Sequence, residues 1–183
     1  MLHKKIKYMK NFQITDKESG KKYWISRAMA VCGIVIVEDG NKSYVLVNKR
    51  GQGVPNYKGC WNLICGYLDW DETLTEAISR EVLEETKVAI PPYLWKFKEI
   101  SDNPNKDEFQ NVTVRFKATI SKYNYDLYCE QGAKMIGANG GEENEVESVW
   151  LMPLDEETIN SVEWAFNHKE IVINELRYIN LPF

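Results

Sequence analysis

GYLDWDETLTEAISREVLEETKV, residues 66–88, contains the clearest helix signal in this chain of 183 residues. Thr73 and Glu76 have the spacing of a capping box, in which each side chain bonds to the backbone N–H of the other residue. Apolar residues then recur at the spacing of one helix face, at Leu74, Ala77, Ile78 and Val82. This pattern predicts a helix over residues 73–86 that packs one face against the rest of the fold.

Three glutamates of this helix do not lie on its solvated side. On a helical wheel, Glu81 and Glu85 fall in the middle of the apolar face, and Glu84 lies at its edge. Carboxylates within one turn repel one another, and burial penalises each charge further. Either their pKa values rise or a cation neutralises them, and oxygen ligands suit Mg²⁺ or Mn²⁺. The alternative is a rotated helix whose glutamates face water.

The residues around these acids resemble the signature of the Nudix hydrolase family. In that signature five residues separate a glycine from a glutamate, and seven more separate that glutamate from the run Arg-Glu-apolar-x-Glu-Glu-x-Gly-apolar. Gly66, Glu72 and the run from Arg80 to Val88 match every defined position except Lys87, where the family has glycine. The resemblance implies an α/β fold, an α/β/α sandwich with a mixed β-sheet.

The resemblance continues upstream of Gly66, and the chain departs from the family pattern at three further positions. The family often shows Trp-x-Leu-Pro-Gly-Gly, which residues 61–66 follow loosely, with Ile64 and Cys65 in place of proline and glycine. Asp71 stands where a second glycine usually precedes the glutamate. These changes alter the loop expected around the phosphates, and they remove no metal ligand that the resemblance implies.

Site roles follow from the resemblance, position by position. It implies that Glu81, Glu84 and Glu85, together with the backbone at Gly66, bind divalent ions, Mg²⁺ or Mn²⁺. Glu84 is also expected to take part in catalysis, as is Arg80. Because Arg80 lies four residues from both Glu76 and Glu84, it can hold those acids in place, although a plain surface ion pair is an equal alternative. Glu72 is expected at the junction of loop and helix or at a metal-bound water.

A general base and the substrate contacts are less sharply indicated. In the acidic loop before Trp150, Glu145 is the favoured base and Glu143 the next choice, with a loop of no catalytic role as the alternative. Arg50 is the favoured phosphate contact, with Lys49 and Lys58 as substitutes. Aromatic residues that could stack on a base or pack in the core are Trp61, Trp70, Trp95 and Phe97. Pro104 lies roughly where some relatives that cleave ADP-ribose carry a proline.

The implied activity is a divalent-metal-dependent attack of water on a phosphoanhydride of a nucleoside diphosphate derivative. Nucleotide sugars such as ADP-ribose and nucleoside triphosphates both remain open as substrates. The alternative from another class is a catalytically silent Nudix-like sensor that binds a nucleotide. Because the chain keeps all the carboxylates of the signature, the hydrolase is favoured. A hydrolase of RNA ends would need a basic groove, which this sequence does not indicate.

Outside the central helix, alternating and apolar runs predict a mixed sheet. A hairpin is expected from residues 12–15 and 23–26, so that residues 1–26 form an N-terminal extension and residues 27–183 the Nudix domain. Helical pattern covers residues 155–178, with a break near 167–168, whereas residues 122–143 give no interpretable pattern. Further strands are expected at residues 27–37, 43–47, 61–64, 93–100, 112–120 and 146–151.

Composition limits the class of protein and its partners. The net charge of −4 and the pI near 5.4 argue against a stable nucleic-acid partner. The longest apolar run, residues 28–37, is far shorter than the roughly 20 residues of a membrane-spanning helix. Four cysteines form neither a disulfide framework nor a CxxC pair, so a zinc site is not expected and a reducing cytoplasm fits best. A small nucleotide is the expected partner, and a homodimer is compatible with the sequence.

Overall fold

The computed structural model describes residues 11–103, 111–136 and 144–179. Within these ranges the strands are β1 (Phe12–Thr15), β2 (Lys22–Ile25), β3 (Met29–Asp39), β4 (Lys42–Arg50), β5 (Trp61–Asn62), β6 (Ile64–Tyr67), β7 (Lys96–Ser101), β8 (Val112–Ser121) and β9 (Val146–Pro153). The helices are α1 (Leu74–Thr86), α2 (Lys122–Ile136), α3 (Glu156–Asn160) and α4 (His168–Ile179), and Pro92–Leu94 forms a 3-10 turn.

Seven of the described strands form one mixed sheet. Along its main path the order is β5-β4-β3-β8-β7, and β6 pairs with β3 while β9 pairs with β4. The β3–β8 pair is parallel, and the other pairs of this sheet are antiparallel. β1 and β2 form a separate antiparallel hairpin, and the domain division at residue 27 stays a prediction.

The core lies on both faces of β3, where residues 30–37 are all buried. Val31, Val35 and Val37 contribute to a cluster that also contains side chains of α1 and α2. Ile34 and Ile36 contribute to the cluster on the opposite face, beneath α3 and α4. Because an uninterrupted apolar strand can be covered on both sides, the predicted α/β/α sandwich with a mixed sheet is confirmed.

Helix α1 begins and ends as its sequence indicates, with one strained position. Thr73 is the N-cap, and both halves of its capping box with Glu76 are present. The C-cap is Lys87, whose φ of 61° is left-handed, and its N–H bonds to the carbonyl of Leu83. A glycine would adopt this conformation without a Cβ clash, so lysine here costs about 1 kcal/mol.

Several predicted boundaries were wrong, and one unassigned segment is a helix. Residues 61–64 divide into two short strands. The helical stretch over 155–178, with a break expected near 167–168, is two helices separated by the longer interval 161–167. α2 occupies residues 122–136 of the stretch without an interpretable pattern. It packs so closely on the end of α1 that a Cβ on Gly132 would lie 2.1 Å from the carbonyl oxygen of Lys87. Among the described residues, no helix is both long and apolar enough to span a membrane.

Candidate active site

The predicted site residues line one open pocket of about 1310 Å³. The carboxyl-terminal half of α1 provides Arg80, Glu81, Glu84 and Glu85, and β6 provides Gly66 on the facing wall. Arg50 lies at the end of β4, and Glu145 lies directly before β9. The pocket therefore brings together acidic, basic and backbone groups that lie up to 95 positions apart in the chain.

Arg80 organises the acidic side of this pocket. Its guanidinium makes a two-point contact with Glu72, through Nη2 at 2.7 Å and Nε at 3.0 Å, and Nη2 also donates to the carbonyl of Tyr67 at 3.0 Å. Nη1 donates to Glu81 at 2.8 Å and to Glu84 at 3.1 Å. These bonds raise the pKa of Arg80 above its ordinary value and lower the pKa of Glu72. Arg80 thereby fixes the directions of three carboxylates.

One expected partner of Arg80 was wrong. The four-residue spacing pointed to Glu76, but the Glu76 carboxylate accepts hydrogen bonds from the backbone N–H and the hydroxyl of Thr73. Because the capping box already engages Glu76, Arg80 turns instead toward Glu72, which precedes the helix. The N–H of Asp69 also donates to Glu72 at 2.9 Å, so the loop before α1 is tied to Arg80 through this acid.

Gly66 makes room for the carboxylate of Glu81. A Cβ built on Gly66 would lie 1.9 Å from Cδ and from Oε1 of Glu81, far inside any real contact. The group that approaches the backbone of Gly66 most closely is therefore the carboxylate of Glu81, where the sequence led us to expect a divalent ion. Burial raises the pKa of Glu81, while the adjacent Arg80 opposes that rise. The burial of Glu81 thus favours either its neutral form or the binding of a cation.

Glu85 is the most perturbed acid of the pocket. Burial raises its pKa well above the ordinary value, and the charge of Glu81 adds to this effect. Asn48, a buried residue of β4, donates its amide to Glu85 Oε2. The Oδ1 of the same Asn48 has no hydrogen-bond partner among the described residues. The interior of the pocket therefore contains a buried carboxylate and an amide oxygen that has no hydrogen-bond partner among the described residues.

The three glutamates fit a hard divalent cation by their chemistry. Glu81, Glu84 and Glu85 offer only oxygen, which is the ligand type of Mg²⁺ and Mn²⁺. No ion pair to Glu85 occurs within the described ranges, so a cation would relieve its desolvated charge. Arg80 Nη1 bridges Glu81 and Glu84, and a cation placed between those two would compete with this contact.

Arg50 faces the pocket from the sheet. Its Nε donates to the carbonyl of Asn56 at 3.0 Å, and its guanidinium carbon lies 5.2 Å from the ring centroid of Phe166. Phe166 has a left-handed φ of 53° and also contacts the rings of Tyr57 and His168. These contacts hold the guanidinium at the mouth of the pocket, where an anionic group could meet it.

Among the candidates for the general base and for the phosphate contact, some line the pocket and others do not. Glu145 lines the pocket, and its carbonyl accepts a hydrogen bond from Gly51, whereas Glu143 lies outside the described residues. Lys49 is paired with Glu147 at 2.7 Å. Neither Lys49 nor Lys58 is among the residues that line the pocket. Arg50 is therefore better placed than either lysine.

The aromatic candidates do not reach the pocket. Trp95 is buried in the core and donates its indole N–H to Ser79, and Trp61 packs against Trp150. Trp70 is 92% exposed on the surface, and Phe97 is also exposed. None of these four residues lines the pocket, and for Trp95 the structure agrees with the alternative of packing in the core. Pro104 lies outside the described residues.

Sequence reasoning missed several polar groups in the pocket. Cys32, Cys65 and His168 line it, and their sulfur and nitrogen atoms lie within 4.8 Å of one another. The pKa of Cys32 lies well below its ordinary value because Cys65 donates a hydrogen bond to its sulfur, and the pKa of Cys65 is raised in return. Arg115 and Asn48 are also buried there. The available signal was a polar residue at an inward position of an apolar strand.

Comparison with known proteins identifies the family. A family model described as the NUDIX domain matches residues 27–174. The match contains α1, the strand that carries Gly66, and the loop that carries Glu145. The chain therefore belongs to the Nudix family, and at the level of the family the prediction of a Nudix hydrolase is confirmed.

Individual relatives are more distant. A protein named ADP-ribose pyrophosphatase from Methanocaldococcus jannaschii is 32% identical over 97 residues, which span 52% of this chain and 53% of that protein. The NUDIX domain of Shewanella oneidensis NrtR, solved with ADP ribose, superposes with a TM-score of 0.64 at 20% identity and covers 90% of this chain and 94% of its own. NrtR solved with a 27mer DNA gives a TM-score of 0.57 at 22% identity, over 82% of this chain and 61% of that one.

Proposed function

We propose that this chain is a divalent-cation-dependent pyrophosphohydrolase that cleaves a phosphoanhydride bond in a nucleoside diphosphate derivative. The observation that carries this proposal is that Glu81, Glu84 and Glu85 line one pocket together with Arg50 and Glu145. Family membership supports it, because Nudix hydrolases generally use divalent metals. The raised pKa of Glu85, caused first by burial, supports it further, since a buried carboxylate that makes no ion pair within the described residues is a suitable cation ligand.

Each side chain has a role in this proposal. Glu81, Glu84 and Glu85 would hold the cation, which when bound supplies positive charge for the phosphoryl oxygens and for an attacking water. Arg80 orients the acids through its bonds to Glu81 and Glu84. Arg50 binds a phosphate oxygen, and Glu145 accepts the proton of the attacking water.

A nucleotide sugar of the ADP-ribose type is the favoured substrate class. The named relative acts on ADP-ribose according to its name, and the structural neighbour was solved with that ligand. A pocket of about 1310 Å³ has room for two nucleoside-sized groups joined by a pyrophosphate. Nucleoside triphosphates are the competing class.

The second candidate is a sensor that binds a nucleotide without turnover. It is favoured by one observation, the guanidinium of Arg80 lying between Glu81 and Glu84 where a cation would bind. The likeness to NrtR, which was solved both with ADP ribose and with DNA, gives the same direction. The acidic pI of this chain makes DNA a less favoured partner than a small nucleotide.

The test is a product-release assay with ADP-ribose and other nucleoside diphosphate derivatives, and with nucleoside triphosphates, in Mg²⁺, in Mn²⁺ and in chelator. We expect turnover that needs a cation, and a loss of about 100-fold or more in Glu85→Gln, the typical cost of removing one preorganised electrostatic group. Glu130→Gln is the matched control, because Glu130 is an exposed residue of α2 away from the pocket.

The outcomes separate the candidates. Equal turnover in Glu85→Gln and Glu130→Gln would contradict the ligand assignment. Tight binding of ADP-ribose without products in either metal would favour the sensor. Cytoplasmic location and a homodimer both stay predictions, and light scattering on the purified chain tests the second.

A further inference from the structure

Two cysteines that line the pocket lie next to each other on paired strands of the sheet. Cys32 on β3 and Cys65 on β6 are register partners in an antiparallel pair. Residues directly opposite in such a pair have their side chains on the same face and their Cα atoms about 4.5–5.5 Å apart. That separation lies within the range that a disulfide can bridge. The two sulfurs already lie within 4.8 Å of each other and are free thiols.

His168 is oriented for a thiol pair and against a metal ion. Its Nδ1 accepts a hydrogen bond from the N–H of Leu63 at 3.1 Å. In the neutral ring the proton therefore lies on Nε2, which is 3.8 Å from the sulfur of Cys65. A histidine that binds a metal through Nε2 instead carries its proton on Nδ1 and donates it to an acceptor. The Leu63 N–H cannot accept, so the cluster favours thiol chemistry over a zinc site.

The two sulfurs differ in their access to small oxidants. Cys32 is 1% exposed, whereas Cys65 is only partly buried and lines the pocket. Arg115, the register partner of Cys32 on β8, is a buried residue in the same row of the sheet. A small oxidant that enters the pocket therefore reaches Cys65 more easily than Cys32, its partner on the neighbouring strand.

We propose that Cys32 and Cys65 form an oxidisable dithiol that closes to an intramolecular disulfide in the presence of a peroxide. The Cys65 sulfur attacks a peroxide oxygen, the O–O bond breaks, and the thiol proton passes to the departing hydroxide, so that a sulfenic acid and one water result. The Cys32 sulfur then attacks the Cys65 sulfur, the S–S bond forms, the S–O bond breaks, and a second water leaves. Two electrons pass from the two sulfurs to the peroxide, which is fully reduced to water.

The position of this pair gives the disulfide a defined place in the molecule. It would join β3 to β6 at the residue before Gly66. The carboxylate of Glu81 lies against the backbone of that glycine. The cysteine at position 65 also stands where the family motif usually has glycine. The bond forms or fails to form whether or not the chain hydrolyses nucleotides, so its test is independent of the proposed function.

The experiment uses the full chain with Cys60→Ser and Cys129→Ser, which keeps only the proposed pair. These two cysteines lie outside the cluster, Cys60 before β5 and Cys129 on α2. After hydrogen peroxide, denaturation and alkylation with iodoacetamide, we expect the loss of both reactive thiols and of two hydrogen atoms in mass. Dithiothreitol should restore both thiols, and a digest should contain one cross-linked peptide pair. In the wild-type chain, Cys60 and Cys129 should stay alkylatable at the same peroxide dose.

Three results would overturn the proposal. One is oxidation of Cys65 to the sulfinic acid while Cys32 stays a thiol. Another is a disulfide in the wild-type chain that joins Cys60 or Cys129 instead of the pair. The third is stoichiometric binding of Zn²⁺ by the reduced Cys60→Ser/Cys129→Ser chain with protection of both thiols, which would assign the cluster to a metal site.

Discussion

Replacement of Gly66 by alanine should move the carboxylate of Glu81 and lower turnover, while it changes the stability of the fold only a little. A Cβ at residue 66 would lie 1.9 Å from the carboxyl carbon of Glu81, and ordinary contact begins near 3.4 Å, so that carbon must retreat by about 1.5 Å. Gly66 has no positive φ, so alanine fits its backbone. Because the obstruction is the flexible end of a side chain, the free energy of unfolding should fall by only about 1 kcal/mol. A displacement of about 1 Å can nevertheless lower turnover about 100-fold.

The assay compares kcat/KM for ADP-ribose in the presence of Mg²⁺ with unfolding in urea. A double-mutant cycle with Glu81→Gln identifies the cause, since two changes that act through one carboxylate should not multiply. We expect Gly66→Ala to lose about 100-fold in kcat/KM and to add little in the Glu81→Gln background. Wild-type kcat/KM in Gly66→Ala, or losses that multiply in the double variant, would refute the role given to Glu81.

Two further predictions concern the stability of the fold. Lys87→Gly should raise the free energy of unfolding by about 1 kcal/mol, because it removes a left-handed lysine from the C-cap of α1; calorimetry should detect a rise of about 2–4 °C in Tm, and an unchanged or lower Tm would contradict the strain. Glu175 is 0% exposed and is paired with Lys98 and Lys117, which keep part of their side chains in water. Replacing both lysines by methionine should lower the free energy of unfolding by about 3–5 kcal/mol, because it leaves a buried carboxylate uncompensated. Adding Glu175→Gln should recover most of that loss in urea denaturation, and a failure to recover would show that lost packing, not charge, is the cause.

Features set by neighbours in the chain could be predicted from the sequence. The capping box of Thr73 and Glu76 is a three-residue relationship, and the apolar face of α1 repeats every three or four residues. The central strand β3 was predicted because its apolar run is unbroken. The family signature covers the same local stretch, which is why both the fold class and the acids of the pocket were accessible.

Features set by close packing between distant segments could not be predicted. α2 contains several tyrosines and the helix-weakening Gly132, so its local pattern does not indicate a helix. The glycine is explained only by the carbonyl oxygen of Lys87, which leaves no room for a Cβ. The interruption between α3 and α4 likewise depends on the contact of Trp61 with residues 163–165, which pair with it through backbone hydrogen bonds.

The composition of the pocket follows from the register of β3, which no local pattern reveals. Cys32 has Cys65 as its partner on one side and Arg115 on the other, so three residues far apart in sequence form one row across the sheet. The acids come from α1 and reach the same pocket over Gly66. Because helix and sheet supply these groups separately, the thiols and the glutamates can be substituted in separate variants. At residues 65 and 66, a single step along β6 passes from the thiol of Cys65 to the backbone against which the carboxylate of Glu81 lies.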